Sequence, residues 1–308
     1  MNDVDPAARA RWLERRIYLE GLNTKHTPFG VSRRHRKQFR RAQRALGILL
    51  RMTGLYGRGR RNALDIRLTS HVFEFPDLPA AFDGYRLLHV TDPHFDTLEG
   101  TDKRVAELVA RCEADLLVLT GDYKRRVHGP FEQVLPSLER VVRASRARDG
   151  KIALLGNHDP AAMVAPLEAL GLRVLLNETV TIARDSARLH LTGFDDVHYF
   201  YTPAADEAAA AAPPGFRVAL VHSPEFAFHA ARAGYRLYIC GHTHGGQVCL
   251  PGGIAVLTAN ELGHRFVSGR WRHGAMQGFT SHGAGCSGVP VRFFTRGEVT
   301  LITLRRGG

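Results

Sequence analysis

The sequence predicts an α/β fold, because short apolar runs alternate with stretches of helical periodicity and polar motifs follow the apolar runs. Residues 85–91 (YRLLHVT) and 115–120 (DLLVLT) are apolar runs typical of buried strands, while residues 103–112 have the apolar spacing of a helix. Strands that alternate with helices favour a layered architecture. The length of 308 residues suits one α/β domain of roughly 230–250 residues with an extension.

The same patterns predict the remaining elements along the chain. Further helices are predicted at residues 7–22, 33–51, 131–148 and 161–170, with a short one inside the loop at 198–215. Further strands are predicted at residues 68–75, 151–155, 173–182, 188–192, 216–221 and 235–240. The β-rich end of the chain, at 278–281, 291–295 and 298–304, is expected to close a second sheet.

The net charge of +12 is concentrated at the amino-terminal end. Residues 1–61 contain 16 Lys and Arg against 4 Asp and Glu, whereas residues 62–308 contain 26 of each. We therefore divide the chain into a basic extension, residues 1–61, and a neutral domain, residues 62–308. The neutral domain removes most of the support for a nucleic-acid-binding surface. The four cysteines have no paired CxxC spacing, which predicts buried thiols and a cytoplasmic location.

A basic amphipathic helix is predicted within residues 33–56. The apolar residues that recur there at helical spacing are Phe39, Ala42, Leu46 and Leu49. The longest uncharged stretch has six residues, well short of the roughly 18–20 needed to span a bilayer. Three interpretations stay open: a helix docked on the domain, a helix lying on the anionic inner face of the cell membrane, and a contact with nucleic acid or another acidic partner. An export signal is less favoured, because Arg51 interrupts the apolar part.

Five short polar segments, each at or just after an apolar run, contain the residues that carry chemistry. They are Asp-Pro-His at 92–94, Gly-Asp at 121–122, Gly-Asn-His-Asp at 156–159, Val-His at 221–222 and Gly-His-Thr-His-Gly-Gly at 241–246. Ligands gather beyond the carboxyl ends of strands in layered α/β folds, and such carboxylate, amide and imidazole groups suit Mn, Fe, Zn or Mg. The predicted metal ligands are Asp92, His94, Asp122, Asn157, His222, His242 and His244.

A two-metal hydrolytic site would give these residues a joint role. Two divalent ions roughly 3.5–4 Å apart neutralise phosphoryl oxygens and produce a hydroxide at neutral pH. Asp122 is the natural bridge between the ions, and His158, next to a ligand in the chain, is predicted to be the general acid, with an effect of about 10²–10⁴-fold. One metal shell would be completed by Asp92, His94 and His244, and the other by Asn157, His222 and His242.

The series D-x-H, G-D, G-N-H-D, H and G-H-x-H resembles the calcineurin-like metallophosphoesterases over about residues 84–306. The segments at 241–252 and 281–304 are similar to a bacterial branch of that superfamily, which includes membrane-associated phosphodiesterases and UDP-2,3-diacylglucosamine diphosphatases. The resemblance implies a four-layer β-sandwich flanked by helices and a centre of two divalent ions, with Mn favoured. It also implies the same ligand and acid roles for the residues named above.

Two departures from the family pattern concern the acid and the substrate. In several branches a second Asp lies three residues after the bridging one and supports the catalytic His; this chain has Arg125 there, and Asp159 is the candidate to replace it. No long cap insertion separates the motifs, so the basic extension is the candidate for acyl-chain contacts. Further candidates to line the cleft or contact substrate phosphate are His198, His282, Arg265 and Arg292.

We expect a metal-dependent phosphohydrolase that cleaves a phosphodiester or pyrophosphate bond with metal-activated water. The expected substrate is a phosphate ester of amphiphilic character, such as the nucleotide-lipid UDP-2,3-diacylglucosamine. The alternatives are a soluble general or cyclic-nucleotide phosphodiesterase, a nuclease, and a membrane-binding scaffold with a degenerate site. The neutral domain argues against the nuclease, and the presence of every predicted ligand together with His158 argues against the scaffold.

Overall fold

The computed structural model describes residues 5–22, 33–256 and 262–307. The helices in these ranges are α1 Pro6–Gly21, α2 Arg33–Met52, α3 Leu55–Leu64, α4 Thr101–Ala110, α5 Leu135–Ala144, α6 Val164–Ala169, α7 Ala204–Ala211 and α8 Ala227–Arg232. The strands are β1 Arg67–Phe75, β2 Arg86–Val90, β3 Leu116–Leu119, β4 Lys151–Ala153, β5 Arg173–Val174, β6 Glu178–Arg184, β7 Ala187–Gly193, β8 Phe216–Leu220, β9 Leu237–Cys240, β10 Cys249–Leu250, β11 Ile254–Ala255, β12 Gly269–His273, β13 Met276–Thr280 and β14 Glu298–Arg306.

Two sheets of six strands form the centre of the molecule, and β10 and β11 form a separate hairpin. The strand order is β1-β14-β2-β3-β4-β5 in the first sheet and β12-β13-β9-β8-β7-β6 in the second. Strands β2 to β5 run parallel to one another, as do β7, β8, β9 and β13. Neighbouring parallel strands have their carboxyl ends at the same edge of a sheet. The five polar segments follow these strand ends.

Apolar side chains pack between the sheets and cover both outer faces. Adjacent residues of a strand face opposite sides, so β3 contributes Val118 to the cluster between the sheets and Leu117 to the outer cluster. The inner cluster also contains Val218 of β8, and the outer one contains residues of α4, α5 and α6. Ala219 of β8 joins α7 and α8 on the far side of the second sheet. The predicted four-layer α/β sandwich is confirmed.

The amino-terminal helices pack on the domain at separate places. Helix α1 begins at Pro6, where the side chain of Asp5 accepts the N–H of Ala7 at 2.9 Å. Its Arg9 bonds Glu178, which opens β6. Helix α2 lies against the chain near Val289, and α3 lies against Val291. These contacts join the extension, residues 1–61, to the domain, residues 62–308. The boundary between residues 61 and 62 therefore stays a prediction.

Several predicted elements differ in the structure. The strand expected at 173–182 is two strands, β5 in the first sheet and β6 in the second. The helix expected at 131–148 is shorter, because Pro136 favours a start at the first turn of α5 and Ser145 is already extended. The segment at 291–295 is not a strand, and β14 does not close the second sheet. Instead β14 lies between β1 and β2 in the first sheet. An apolar pattern predicts a strand but not its neighbours, which explains the error.

None of the helices in the described ranges combines the length and the apolar character needed to cross a membrane.

Candidate metal centre

All five polar segments lie in loops at the carboxyl ends of strands. Asp92 and His94 follow β2, Asp122 follows β3, and Asn157 follows β4. The second sheet contributes His222 after β8 and the pair His242 and His244 after β9. The structure brings all the predicted ligands together where the edges of the two sheets meet, and it places His158 next to them.

Several of these residues have a left-handed backbone, which is unusual for residues other than glycine. The φ angles lie between 38° and 72° at Asp92, His94, Asp122, His242 and His244. Such backbone conformations carry a steric cost of order 1–3 kcal/mol each and concentrate at functional sites. The surrounding packing therefore holds these loops in a conformation that the chain would not choose by itself.

Glycines allow the loops to approach each other closely. A Cβ atom built on Gly156 would lie 2.3 Å from Oδ1 of Asp122, and one built on Gly241 would lie 2.2 Å from Oδ2 of Asp92. No larger side chain fits at either position without displacing a predicted ligand.

Asp92, His94 and His244 form the first group of ligand atoms. The two Nε2 atoms of His94 and His244 are 3.2 Å apart, and Nε2 of His244 is 3.6 Å from Oδ1 of Asp92. The other oxygen of Asp92 accepts hydrogen bonds from the Thr91 hydroxyl at 2.7 Å and the His242 N–H at 2.8 Å. One carboxylate oxygen is thus held by the protein and the other faces the histidines.

Asp122 lies between this group and the second one. Its Oδ2 is 3.6 Å from Nε2 of His94 on one side and 3.4 Å from Nε2 of His222 on the other. The same Nε2 of His222 is 3.1 Å from Oδ1 of Asn157 and 3.2 Å from Nδ1 of His242. One carboxylate oxygen therefore faces both groups, as a bridging ligand must.

Backbone carbonyls orient two of the histidines. Nδ1 of His94 donates to the carbonyl of Lys124 at 2.7 Å, and Nδ1 of His222 donates to the carbonyl of Thr120 at 2.8 Å. Each bond places a proton on Nδ1 and leaves Nε2 to bind a metal, an arrangement that is usual for metal-ligating histidines. These carbonyls have no signal in the sequence, so sequence analysis missed them.

The arrangement of the donor atoms suits a bound cation better than it suits hydrogen bonds between the donors themselves. The ring nitrogens Nε2 of His94 and Nε2 of His244 lie 3.2 Å apart, and Oδ1 of Asp92 is buried with no hydrogen-bond partner among the described residues. An unpaired buried carboxylate oxygen is costly, and a divalent cation would remove that cost. The mixed set of carboxylate, amide and imidazole donors is compatible with Mn, Fe or Zn.

Burial also keeps three of the four ligand histidines in the neutral form that binds metal. Desolvation lowers the pKa of His94 to about 4 and holds the pKa values of His242 and His244 well below 6.5. Burial alone would raise the pKa of Asp122, but the charges of His222 and His158 outweigh burial and keep that pKa well below 3.8. The imidazoles of His94, His242 and His244 are therefore neutral near neutral pH, next to an ionised Asp122. Burial would lower the pKa of His222, but the charge of Asp122 outweighs burial and raises that pKa well above 6.5, so this ring must lose a proton before it binds a metal.

His158 lies at the edge of the site, with 19% of its side chain exposed. Its Nε2 is 4.0 Å from Oδ2 of Asp122, and its Nδ1 donates to the backbone carbonyl of Arg125. The supporting group is thus the main chain of the residue that occupies the family's Asp position. A carbonyl orients the ring without placing a negative charge behind it.

Asp159 does not support His158, contrary to the expectation from the sequence. Its carboxylate accepts the backbone N–H groups of Asp122 at 2.6 Å, Tyr123 at 3.0 Å and Gly156 at 2.8 Å. Those bonds join the loop after β3 to the loop after β4. Asp159 therefore fixes the relative position of Asp122 and Asn157 rather than the orientation of the His158 ring.

Arg292 is a structural residue, which corrects its prediction as a substrate contact. It is fully buried, and its guanidinium donates to the carbonyls of His244, Gly283 and Gly285 at 2.7–3.1 Å. His198 is buried against His242, with the ring centroids 4.0 Å apart, and it bonds Glu225. His198 thus supports the site from behind, a role that its sequence position did not indicate.

Comparison with known proteins agrees with this geometry. The calcineurin-like phosphoesterase family matches residues 85–246. The uncharacterized metallophosphoesterase YkuE of Bacillus subtilis is 27% identical over 78% of this chain and 86% of its own length. Phosphodiesterase YaeI of Escherichia coli is 28% identical over 71% and 82%. A bovine transmembrane protein with a metallophosphoesterase domain is 26% identical over 74% of this chain and 54% of its own length.

The fold, the converging ligands and the family match together define a metallophosphoesterase. The chain belongs to the calcineurin-like phosphoesterase family and is a hydrolase. The family implies divalent metal ions, and the His and Asp groups of this chain are suited to hold them.

Proposed function

We propose that this chain is a dinuclear phosphohydrolase that cleaves a phosphodiester or pyrophosphate bond of an amphiphilic substrate at a membrane surface. The observation that carries the proposal is the position of Asp122, whose Oδ2 faces both groups of ligand atoms at 3.4–3.6 Å. Asp92, His94 and His244 would hold one ion, and Asn157, His222 and His242 the other. When bound, the ions supply charge neutralisation and an acidic water.

The residues of the chain provide the remaining steps. Asp122 keeps the two groups of ligand atoms at a fixed separation. It is held in place because its Oδ1 accepts the backbone N–H of His158 and its own N–H donates to the carboxylate of Asp159. His158 donates a proton from Nε2 to the leaving oxygen, since its Nδ1 is already bonded to the Arg125 carbonyl. General acids of this kind contribute about 10²–10⁴-fold to the rate.

Exposed apolar residues support the membrane part of the proposal. On α2, Ile48, Leu49 and Met52 are exposed, Met52 by 81%, and the exposed Arg41 and Arg44 lie on the same helix. An apolar surface with flanking arginines is typical of helices that lie on anionic bilayers. A peripheral location on the inner face of the cell membrane, through residues 33–56, follows from this proposal.

A second exposed apolar pair lies close to the ligands along the chain. Leu250 and Ile254 face each other in the β10–β11 hairpin and are exposed by 54% and 59%. The hairpin follows His244 directly, and Ala255 lies against Gly246. A bilayer that contacts this hairpin would therefore lie near the metal centre, which supports a lipid-linked substrate such as UDP-2,3-diacylglucosamine.

A soluble phosphodiesterase is the second candidate, and the Escherichia coli relative is named a phosphodiesterase. In that case α2 would serve only to pack against the domain, as its contact at Val289 illustrates. The two candidates share the metal centre and differ in what α2 does.

The deciding experiment is hydrolysis by the purified chain with Mn²⁺. Bis-p-nitrophenyl phosphate in buffer is compared with UDP-2,3-diacylglucosamine in mixed micelles, with Asp122→Ala as the inactive control. Turnover of the lipid that Asp122→Ala abolishes would support the full proposal. Turnover of the soluble diester alone would leave the metal centre and reject the lipid substrate. Activity that survives Asp122→Ala would reject the proposed site.

Variants of α2 separate the membrane role from the fold better than deletion of the extension does. Deleting residues 1–61 would also remove α1, which packs on the domain through the buried Arg16. Changing Ile48, Leu49 and Met52 together to Ser should lower turnover of the lipid and leave turnover of the soluble diester unaffected. The matched control changes Leu68 and Val72, exposed apolar residues of β1, to Ser.

A further inference from the structure

Arg125 connects the predicted acid to the loop on the opposite side of the site. Its backbone carbonyl accepts Nδ1–H of His158, and its N–H donates to Asp96 at 2.7 Å. Its exposed guanidinium donates through Nη2 to the carbonyl of Gly288 at 2.8 Å. The side chain therefore extends away from His158, while the backbone is held beside it.

The loop that contains Gly288 is attached to the other half of the metal centre. The N–H of Gly285 donates to the carbonyl of Asp92 at 2.9 Å, and the N–H of Ser287 donates to the side chain of Gln247 at 2.8 Å. One end of Arg125 thus lies at His158 and the other at the loop behind Asp92. The exposed side chain therefore spans the gap between these two loops.

The guanidinium of Arg125 has more hydrogen-bond donors than this one contact uses. It carries five N–H donors, and the structure shows one side-chain hydrogen bond, to a neutral carbonyl. None of the ion pairs among the described residues includes Arg125, whose side chain bonds the Gly288 carbonyl. An exposed arginine without a carboxylate partner can offer its planar fork to the oxygens of a phosphate.

We propose that Arg125 binds a second phosphate on the leaving-group side of the substrate, so that the site selects phosphoanhydrides over simple phosphodiesters. The inference rests on the proposed function and narrows its two bond types to one. The leaving side is indicated because the backbone of Arg125 lies beside His158, the group that protonates the leaving oxygen, and its side chain extends from there towards Gly288. The water oxygen bonds to the scissile phosphorus and the water loses one proton to solvent. The bridging P–O bond breaks, and the bridging oxygen leaves on the second phosphate with its electron pair and takes the proton from His158, which regains a proton from solvent.

The test uses two substrates that differ by one phosphate. Bis-p-nitrophenyl phosphate and P1,P2-bis(p-nitrophenyl) pyrophosphate are hydrolysed by the full chain with Mn²⁺, and products are separated by chromatography. Arg125→Ala should lower kcat/KM for the pyrophosphate by about 10–100-fold, the usual effect of losing a charged hydrogen bond, and for the diester by no more than about threefold. Arg125→Lys should recover part of the loss.

The neighbouring Arg126 is the matched control, because it is exposed as well. Arg126→Ala should leave kcat/KM unchanged for both substrates. Equal loss on both substrates in Arg125→Ala would overturn the inference, because the side chain would then only support the loop of His158. In Arg125→Ala, a ratio of kcat/KM for the pyrophosphate to kcat/KM for the diester equal to that of the wild-type chain would also overturn the inference. A wild-type chain that hydrolyses the diester but not the pyrophosphate would reject this inference and leave the proposed function standing. Full activity in Asp122→Ala would reject the proposed function instead.

Discussion

Helices α1 and α2 are both rich in arginine, but their arginines have different surroundings in the structure. In α1 the guanidinium of Arg16 is fully buried, where it pairs with Asp195 and donates to the carbonyl of Asp159 at 2.8 Å. In α2 the described Arg41 and Arg44 are exposed, on a helix that also exposes Met52. A basic helix can therefore be part of the fold or available to a partner, and its charge does not indicate which.

The two helices also differ in what they touch near the metal centre. Helix α1 reaches the loop after β4, since Arg16 bonds Asp159 and Glu20 accepts the N–H of Ala161 at 2.8 Å. That loop also contains Asn157 and His158. Helix α1 thus stabilises the loop with the predicted acid, while α2 contributes exposed apolar surface. Four changes to the protein would test this difference between the two helices.

Changing His158 to Gln tests whether the loop held by α1 performs the chemistry. We expect kcat for bis-p-nitrophenyl phosphate to fall by about 10²–10⁴-fold, because the leaving oxygen loses its proton donor. The measurement is steady-state hydrolysis with Mn²⁺. His264→Gln, at an exposed histidine, is the control and should keep the wild-type rate. A change of less than about threefold in the His158 variant would remove the acid role.

Changing Arg16 to Met tests whether α1 is part of the fold. Asp195 would remain buried without its partner, so the free energy of unfolding should fall by about 3–5 kcal/mol, as measured by urea denaturation. Arg15→Met is the control one position earlier, where the side chain is exposed. Equal stability of the two variants would show that α1 is as peripheral as α2.

Adding Mn²⁺ to metal-stripped protein tests whether the clustered ligands bind a cation. At a concentration of about 100 times Kd, the ion should stabilise the fold by about 2.7 kcal/mol, seen as a higher Tm. Asp92→Asn should reduce this shift, because its unpaired Oδ1 faces the histidines. A Tm that is insensitive to Mn²⁺ would contradict the metal centre.

Changing Arg41 and Arg44 to Gln tests the partner assigned to α2. Each arginine near an anionic bilayer contributes about 1 kcal/mol, so binding to phosphatidylserine vesicles should weaken by roughly 30-fold. Unfolding free energy should change by less than about 0.5 kcal/mol. The control pair, Arg143→Gln and Arg146→Gln, removes the same charge from another exposed region. An equal loss of binding in both pairs would indicate attraction by net charge alone.

Most of the candidate site could be predicted because its residues lie in short motifs at strand ends. The apolar run before Asp122 indicates a strand, and the next polar residues must then lie at its carboxyl edge. The residues that orient the site could not be predicted in the same way. The carbonyls of Lys124, Thr120 and Arg125 belong to groups that every residue has, so only their positions distinguish them.

The layered α/β fold, the family and the predicted ligands could be read from the sequence, because apolar periodicity and motif spacing are local properties. The position of β14 in the first sheet, the burial of Arg16 in contrast to the exposed Arg41 and Arg44, and the carbonyl that supports His158 appear only in the folded chain. These outcomes depend on which distant segments meet. Pairing of that kind is set by the packing of the whole chain, and no short window of sequence contains it.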